Sequence, residues 1–206
     1  ATSAAESGAE ERSIMAMTGH KSTEMVRRYI KEANIFKNNA LNKIKIWYYF
    51  NMKIFCDSAD YKNFLRYKND KTVKGFTTNP SLMRLAGAKN YKSYSLKLLR
   101  NSNKKPVSLE VFSDKIDDMY KQGKIINKWA KNVYVKIPVV NTKGIFTGKT
   151  IEKLSNEKIK LNITAVYTFD QVKKITKKLN KKSKAIISIF AGRMGDQLKN
   201  PIPIFK

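Results

Sequence analysis

From Met52 onward, short apolar runs alternate with lysine-rich stretches whose apolar residues recur at helical spacing. The runs are MKIFCDS (52–58), KGFTTNP (74–80), PVSLEVF (106–112), NVYVKIPV (132–139), KLNITAVY (160–167) and AIISIFAG (185–192). Between them lie DYKNFLRYK, SLMRLAG with YKSYSLKLLR, SDKIDDMYKQGKIINKWAK, KGIFTGKTIEKLS and TFDQVKKITKKLN. Strands alternating with helices at this spacing predict βα units that share one parallel sheet. Six such units in a row leave two architectures: a (β/α)₈ barrel cut short, or a smaller doubly wound sheet.

Side-chain alternation separates the two, because successive residues of a strand point to opposite faces. In NVYVKIPV, Val133, Val135 and Ile137 share one face, and Tyr134, Lys136 and Pro138 the other. In PVSLEV, Val107, Leu109 and Val111 oppose Ser108 and Glu110; in KLNITAVY, Leu161, Ile163 and Ala165 oppose Asn162 and Thr164. Asp57 and Asn79 fall near the carboxyl ends of their strands, and Ser188 is central in AIISIF. Each strand therefore offers an aliphatic face for helices and a polar group for the opposite face. A doubly wound sheet covers both faces with helices and would bury those polar groups without partners. A barrel gathers them at its carboxyl-terminal mouth. No glycine-rich phosphate loop follows the first strand, which also counts against a dinucleotide fold. The expected fold is α/β, an incomplete TIM (β/α)₈ barrel of about six units.

Composition narrows the setting. The formal net charge is +26, but only seven of the 42 basic residues are arginine, and the lysines are spread along the chain beside abundant Asn and Ile. That pattern fits a general Lys/Asn/Ile bias better than an evolved phosphate-tracking surface, although non-specific polyanion binding at low salt is expected. No run of about 18 apolar residues predicts a membrane span, and no basic-then-apolar leader pattern is present, so a cytoplasmic protein is expected. The one cysteine, Cys56, cannot form an intramolecular disulfide, and with only His20 beside it no zinc site is expected.

Lys136 is the residue that demands chemistry. Burying a lysine costs free energy unless it is paired or reactive. Apolar surroundings disfavour the ammonium form and leave a nucleophilic amine suited to Schiff-base formation with a ketone or aldehyde. Asp57 and Glu110 would supply carboxylates for proton transfer, and Asn79, Asn162, Thr164 and Ser188 could hold substrate hydroxyls. The plainer reading is a structural ion pair between Lys136 and Glu110 or Asp57.

FCDSAD, TTNPSL, PVSLEV, VYVKIPV, NITAVYTFDQ and SIFAGR, in this order, resemble the transaldolase family, particularly its shorter members that include fructose-6-phosphate aldolases. The resemblance covers residues 52–206, and TTNPS with VKIPV is its most specific part. It implies that Lys136 is the Schiff-base lysine and that Asp57 shuttles the proton on carbon–carbon cleavage. Glu110 would be the acid/base that works with a bound water during imine formation. Asn79, Asn162 and Thr164 would orient the dihydroxyacetone part and that water; Ser188 would contact a substrate hydroxyl and Arg193 a phosphate. The implied reaction transfers a dihydroxyacetone unit between sugar phosphates, as in the pentose phosphate pathway. Simple aldolases of the family tend to carry glutamine where Glu110 stands, which favours transaldolase. No metal or organic cofactor is expected, and a homo-oligomer is left open.

Two departures shape the remaining expectations. A barrel of this type runs to about 200–250 residues, whereas residues 52–206 supply 155. Strands seven and eight are therefore expected to be missing, and the chain to be poorly stable or inactive alone, since open strand edges invite aggregation. Residues 1–44 read as a helical segment, and TGHKSTEMVRRYIKEANIFKNNA resembles the carboxyl-terminal end of tyrosine recombinases, or phage-type integrases. There His20 would match an active-site histidine and Tyr29 the nucleophile. Residues 45–51 read as a linker, and 52–206 as the barrel. The rival function is thus a DNA-binding or recombinase fragment acting in DNA integration; it lacks the upstream arginines that stabilise a pentavalent phosphate. A third reading is a non-catalytic remnant.

Overall fold

The computed structural model describes residues 53–196 and Ile204. The segment expected before residue 45, the 45–51 linker, and with them His20 and Tyr29, lie outside the described residues.

Six strands alternate with seven helices in the described region: β1 Ile54–Asp57, α1 Tyr61–Tyr67, β2 Val73–Thr77, α2 Pro80–Leu85, α3 Tyr91–Arg100, β3 Val107–Glu110, α4 Ile116–Asn127, β4 Val133–Pro138, α5 Gly148–Asn156, β5 Leu161–Val166, α6 Phe169–Lys178, β6 Ala185–Ile189 and α7 Ala191–Asp196. All neighbouring strands are parallel, and their order in the sheet is the order in the chain, β1 to β6. A doubly wound sheet would reverse direction at a switch point. Crossovers taken in sequence order instead keep the helices on one face, and the twisted sheet curls towards its other face as a half-barrel.

The helix-facing side is the core. Val107, Leu109, Val133, Val135, Ile137, Leu161 and Ile163 are fully buried, together with Leu98, Met119, Ile126, Ile151, Leu154 and Ile175 from the helices. Each such aliphatic side chain contributes about 1.5–3 kcal/mol by leaving water. Helix starts are written locally. Asp60 accepts from the Lys62 amide, Asn90 from that of Ser93, and Thr168 with Gln171 forms a reciprocal capping box.

Three details differ from the sequence expectation. KGIFTGKTIEKLS does not form one helix. The Asn141 side chain accepts from the amides of Lys143 and Ile145, and Phe146 bridges back to Val140, so a turn outcompetes helix until Gly148. Asn79 lies beyond β2, as the N-cap of α2. Ala165 does not share the buried face of Leu161 and Ile163. At this point β5 places Thr164 and Ala165 opposite the single residue Ser188, between the Ile163–Ile187 and Val166–Ile189 pairs. This bulge turns Ala165 to the inner face and returns Val166 to full burial.

Candidate active site

Polar side chains converge on the inner face because register aligns them. Glu110 pairs with Lys136 and Lys136 with Asn162, so three neighbouring strands present a carboxylate, an ammonium and an amide on one rung. Asp57 pairs with Thr77 at the carboxyl ends of β1 and β2. These groups line a cleft of about 890 Å³ with Asn79, Thr164, Ala165, Ser188 and Arg193. All eight residues expected in the sugar-phosphate site border this one space.

Lys136 is 6% exposed. Its ammonium lies 3.3 Å from Glu110 Oε2 and donates to the Thr78 carbonyl at 3.2 Å. The ion pair anticipated in the plainer reading therefore exists, but it is not a closed structural pair. It opens on the cleft, and burial raises the Glu110 carboxyl above its ordinary value, overcoming the pull of Lys136, with the negative charge of Asp57 pushing the same way. Tyr91 fixes the end of β3 by donating to the Glu110 carbonyl at 2.7 Å; burial, aided by the Glu110 charge, raises its phenol and keeps it a donor.

The far side of the rung is a second chain of hydrogen bonds. Ser188 Oγ donates to Asn162 Oδ1 at 2.7 Å, and Asn162 Nδ2 donates to Ser108 Oγ at 3.0 Å, so the buried amide is locked in place. Thr164 Oγ1 is buried and has no hydrogen-bond partner among the described residues. Leaving a buried hydroxyl unpaired costs about 1–3 kcal/mol, which is tolerable where a water or substrate oxygen completes the bond. Beside it, Ala165 holds φ at +58°, a left-handed conformation that costs a non-glycine residue of order 1–3 kcal/mol. Asp57 is at the rim, exposed, and accepts from Thr77 Oγ1 at 2.7 Å. Asn79 uses Oδ1 to cap α2 through the Leu82 amide at 2.8 Å. Arg193, on α7, is exposed, its guanidinium 6.0 Å from the centre of the Phe190 ring.

Sequence reasoning missed Thr77 as the group that orients Asp57, which strand parity would have placed on the inner face; it put Ser108 on that face beside Glu110 but gave it no role, and the structure makes it an anchor of Asn162. The Thr78 carbonyl carried no sequence signal. Phe112, 63% exposed, also lines the cleft. Among the described residues no group of three or more His, Cys, Asp or Glu is arranged to hold a metal ion, and no helix is long and apolar enough to cross a membrane.

The raised carboxyl makes a pH prediction. The native chain holds a proton on Glu110 where the unfolded chain releases it, so this group's stabilising contribution is present below the ordinary glutamate value of 4.5 and is lost as pH rises through the raised value. The stability of the wild-type chain relative to Glu110→Gln should therefore fall from pH 4.5 upward, measured by urea unfolding at a series of pH values. A difference that stays flat or rises would show that the carboxyl is not held above its unfolded value.

Fold and site together define a class: a parallel barrel-type sheet that brings a buried lysine and two carboxylates to its strand ends. The Transaldolase/Fructose-6-phosphate aldolase family model matches residues 54–203. A probable transaldolase of Herpetosiphon aurantiacus is 33% identical over 145 residues, covering 70% of this chain and 61% of the relative. Probable transaldolases of Lactiplantibacillus plantarum (33% over 155 residues, 75% of this chain and 67% of the relative) and Bdellovibrio bacteriovorus (34% over 145, 70% and 63%) are similar. The chain belongs to the transaldolase/fructose-6-phosphate aldolase family. It spans about three fifths of the length of the first of these curated relatives.

Proposed function

We propose that the chain carries a Schiff-base site that transfers a dihydroxyacetone unit between sugar phosphates. One observation carries this reading: a buried ammonium 3.3 Å from a carboxylate whose proton affinity is raised, at the floor of an open cleft. The pair is a resting state in which Glu110 can accept the ammonium proton and release a neutral amine. That amine adds to the ketose carbonyl, and Glu110, with a water held by Thr164, returns a proton as the carbinolamine loses water to give the imine. Asp57 then takes the proton of the hydroxyl next to the scissile bond. That bond breaks, an aldose phosphate leaves, and the electron pair stays on Lys136 as an enamine. Addition to an acceptor aldehyde and hydrolysis reverse the sequence. Asn162, fixed by Ser108 and Ser188, and Nδ2 of Asn79 orient the retained hydroxyls, and Arg193 meets the phosphate. The glutamate at 110 and the relatives' names favour transfer over simple aldol cleavage.

The test is direct. Fructose 6-phosphate and erythrose 4-phosphate, incubated with the chain, should yield glyceraldehyde 3-phosphate and a seven-carbon ketose phosphate. Product that forms from fructose 6-phosphate equally fast without the acceptor would reassign the site to aldol cleavage. No product in either mixture, with no trapped adduct, would overturn the proposal. The recombinase reading would rest on His20 and Tyr29, outside the described residues.

A further inference from the structure

We infer that Ala165 is a positioning residue: its left-handed bulge holds the Thr164 hydroxyl in the cleft, unpaired and available. This rests on the proposed Schiff-base reading. Two adjacent residues of β5 each carry a local cost. Thr164 has a buried hydroxyl without a partner, and Ala165 holds φ at +58°. Neither is required to make the strand. Leu161, Asn162 and Ile163 pair with both neighbours in regular register, and the irregularity begins after Ile163.

The consequence is geometrical. In an unbroken strand, Ala165 would face the helices and Val166 would face the cleft. The extra residue reverses that order. Thr164 and Ala165 both border the cleft, a small side chain stands beside the hydroxyl, and Val166 packs fully buried. Thr164 meanwhile keeps its pairing to Pro138 on β4, so its hydroxyl stays on the inner face beside the Lys136–Asn162 rung. Straightening the strand would drive the valine into the space where a water or substrate oxygen completes the Thr164 hydrogen bond. The residue acts through Thr164 and touches no reacting atom.

Glycine and asparagine accept the left-handed region, whereas a β-branched residue is a strong outlier there. The rate at which borohydride traps the fructose 6-phosphate adduct, together with the unfolding midpoint, should therefore separate two substitutions. Ala165→Gly, which keeps the space open and accepts the left-handed backbone, should trap within about threefold of wild type and raise the midpoint. Ala165→Val should trap at least about tenfold more slowly. Thr164→Val should slow trapping by a similar factor, and the Thr164→Val/Ala165→Val pair should be no slower than Thr164→Val alone, because one residue acts through the other. Trapping in Ala165→Val at the wild-type rate, or losses that multiply in the double variant, would overturn the inference. Tenfold loss in Ala165→Gly would do so as well, and that arm stands even if the valine variant is insoluble. Absence of trapping in the wild-type chain would instead sink the Schiff-base reading.

Discussion

Lys136→Met should abolish the borohydride-stable adduct with fructose 6-phosphate and lower transfer at least about a thousandfold, as removal of a covalent nucleophile does. The same substitution should leave the chain folded. Breaking a buried ion pair by deleting one partner ordinarily costs about 3–5 kcal/mol, because the other charge is stranded. Here the stranded group is Glu110, which lines an open cleft and whose carboxyl is already raised by burial, so neutralising it costs less than for a carboxylate held at its ordinary value. Methionine refills the volume of the lysine stem on the cleft-facing side of β4 without a charge. The expected loss is therefore well below the usual range for a broken pair, measured by urea unfolding near neutral pH. A large loss of stability together with residual adduct would mean that the lysine serves the fold rather than the chemistry.

Asp57→Asn should separate the two halves of the reaction. Asp57 stands at the end of β1 with its carboxylate held by the Thr77 hydroxyl, at the rim of the cleft rather than on the Glu110–Lys136–Asn162 rung. Asparagine preserves the hydrogen bond from Thr77 but cannot accept a substrate proton. Adduct formation should persist while transfer falls by about 10²–10⁴, the usual contribution of a general base. A second effect follows from charge. Burial is the larger cause of the raised Glu110 carboxyl, and the Asp57 charge adds to it, so Asp57→Asn should move the acid limb of adduct formation to lower pH. Equal loss of adduct and transfer would place Asp57 in imine formation instead.

Much of this was legible in the chain because its physics is local. Alternation within VYVKIP, VSLE and LNIT separates a helix-facing aliphatic side from an inner polar side, and six repeats of the βα rhythm imply a parallel sheet. Parallel register then converts separate polar residues into a rung, which is why Glu110, Lys136 and Asn162 meet. What escaped the sequence depends on the backbone. The carbonyl of Thr78 that receives the Lys136 ammonium has no residue signature. The bulge at Ala165 carries none of the glycine that usually marks a left-handed position, so strict alternation put that side chain on the wrong face. The Asn141 turn broke a stretch that composition alone reads as helix.

A chain with 35 lysines offers many amines to a reactive sugar, so where the adduct forms is more decisive than whether it forms. The wild-type chain should be reduced with borohydride in the presence of fructose 6-phosphate, digested with trypsin and sequenced by mass. Modification at Lys136 blocks cleavage after it, and the account predicts a single dominant modified peptide spanning residues 132–143. Adducts scattered over surface lysines, with residues 132–136 released unmodified, would contradict it.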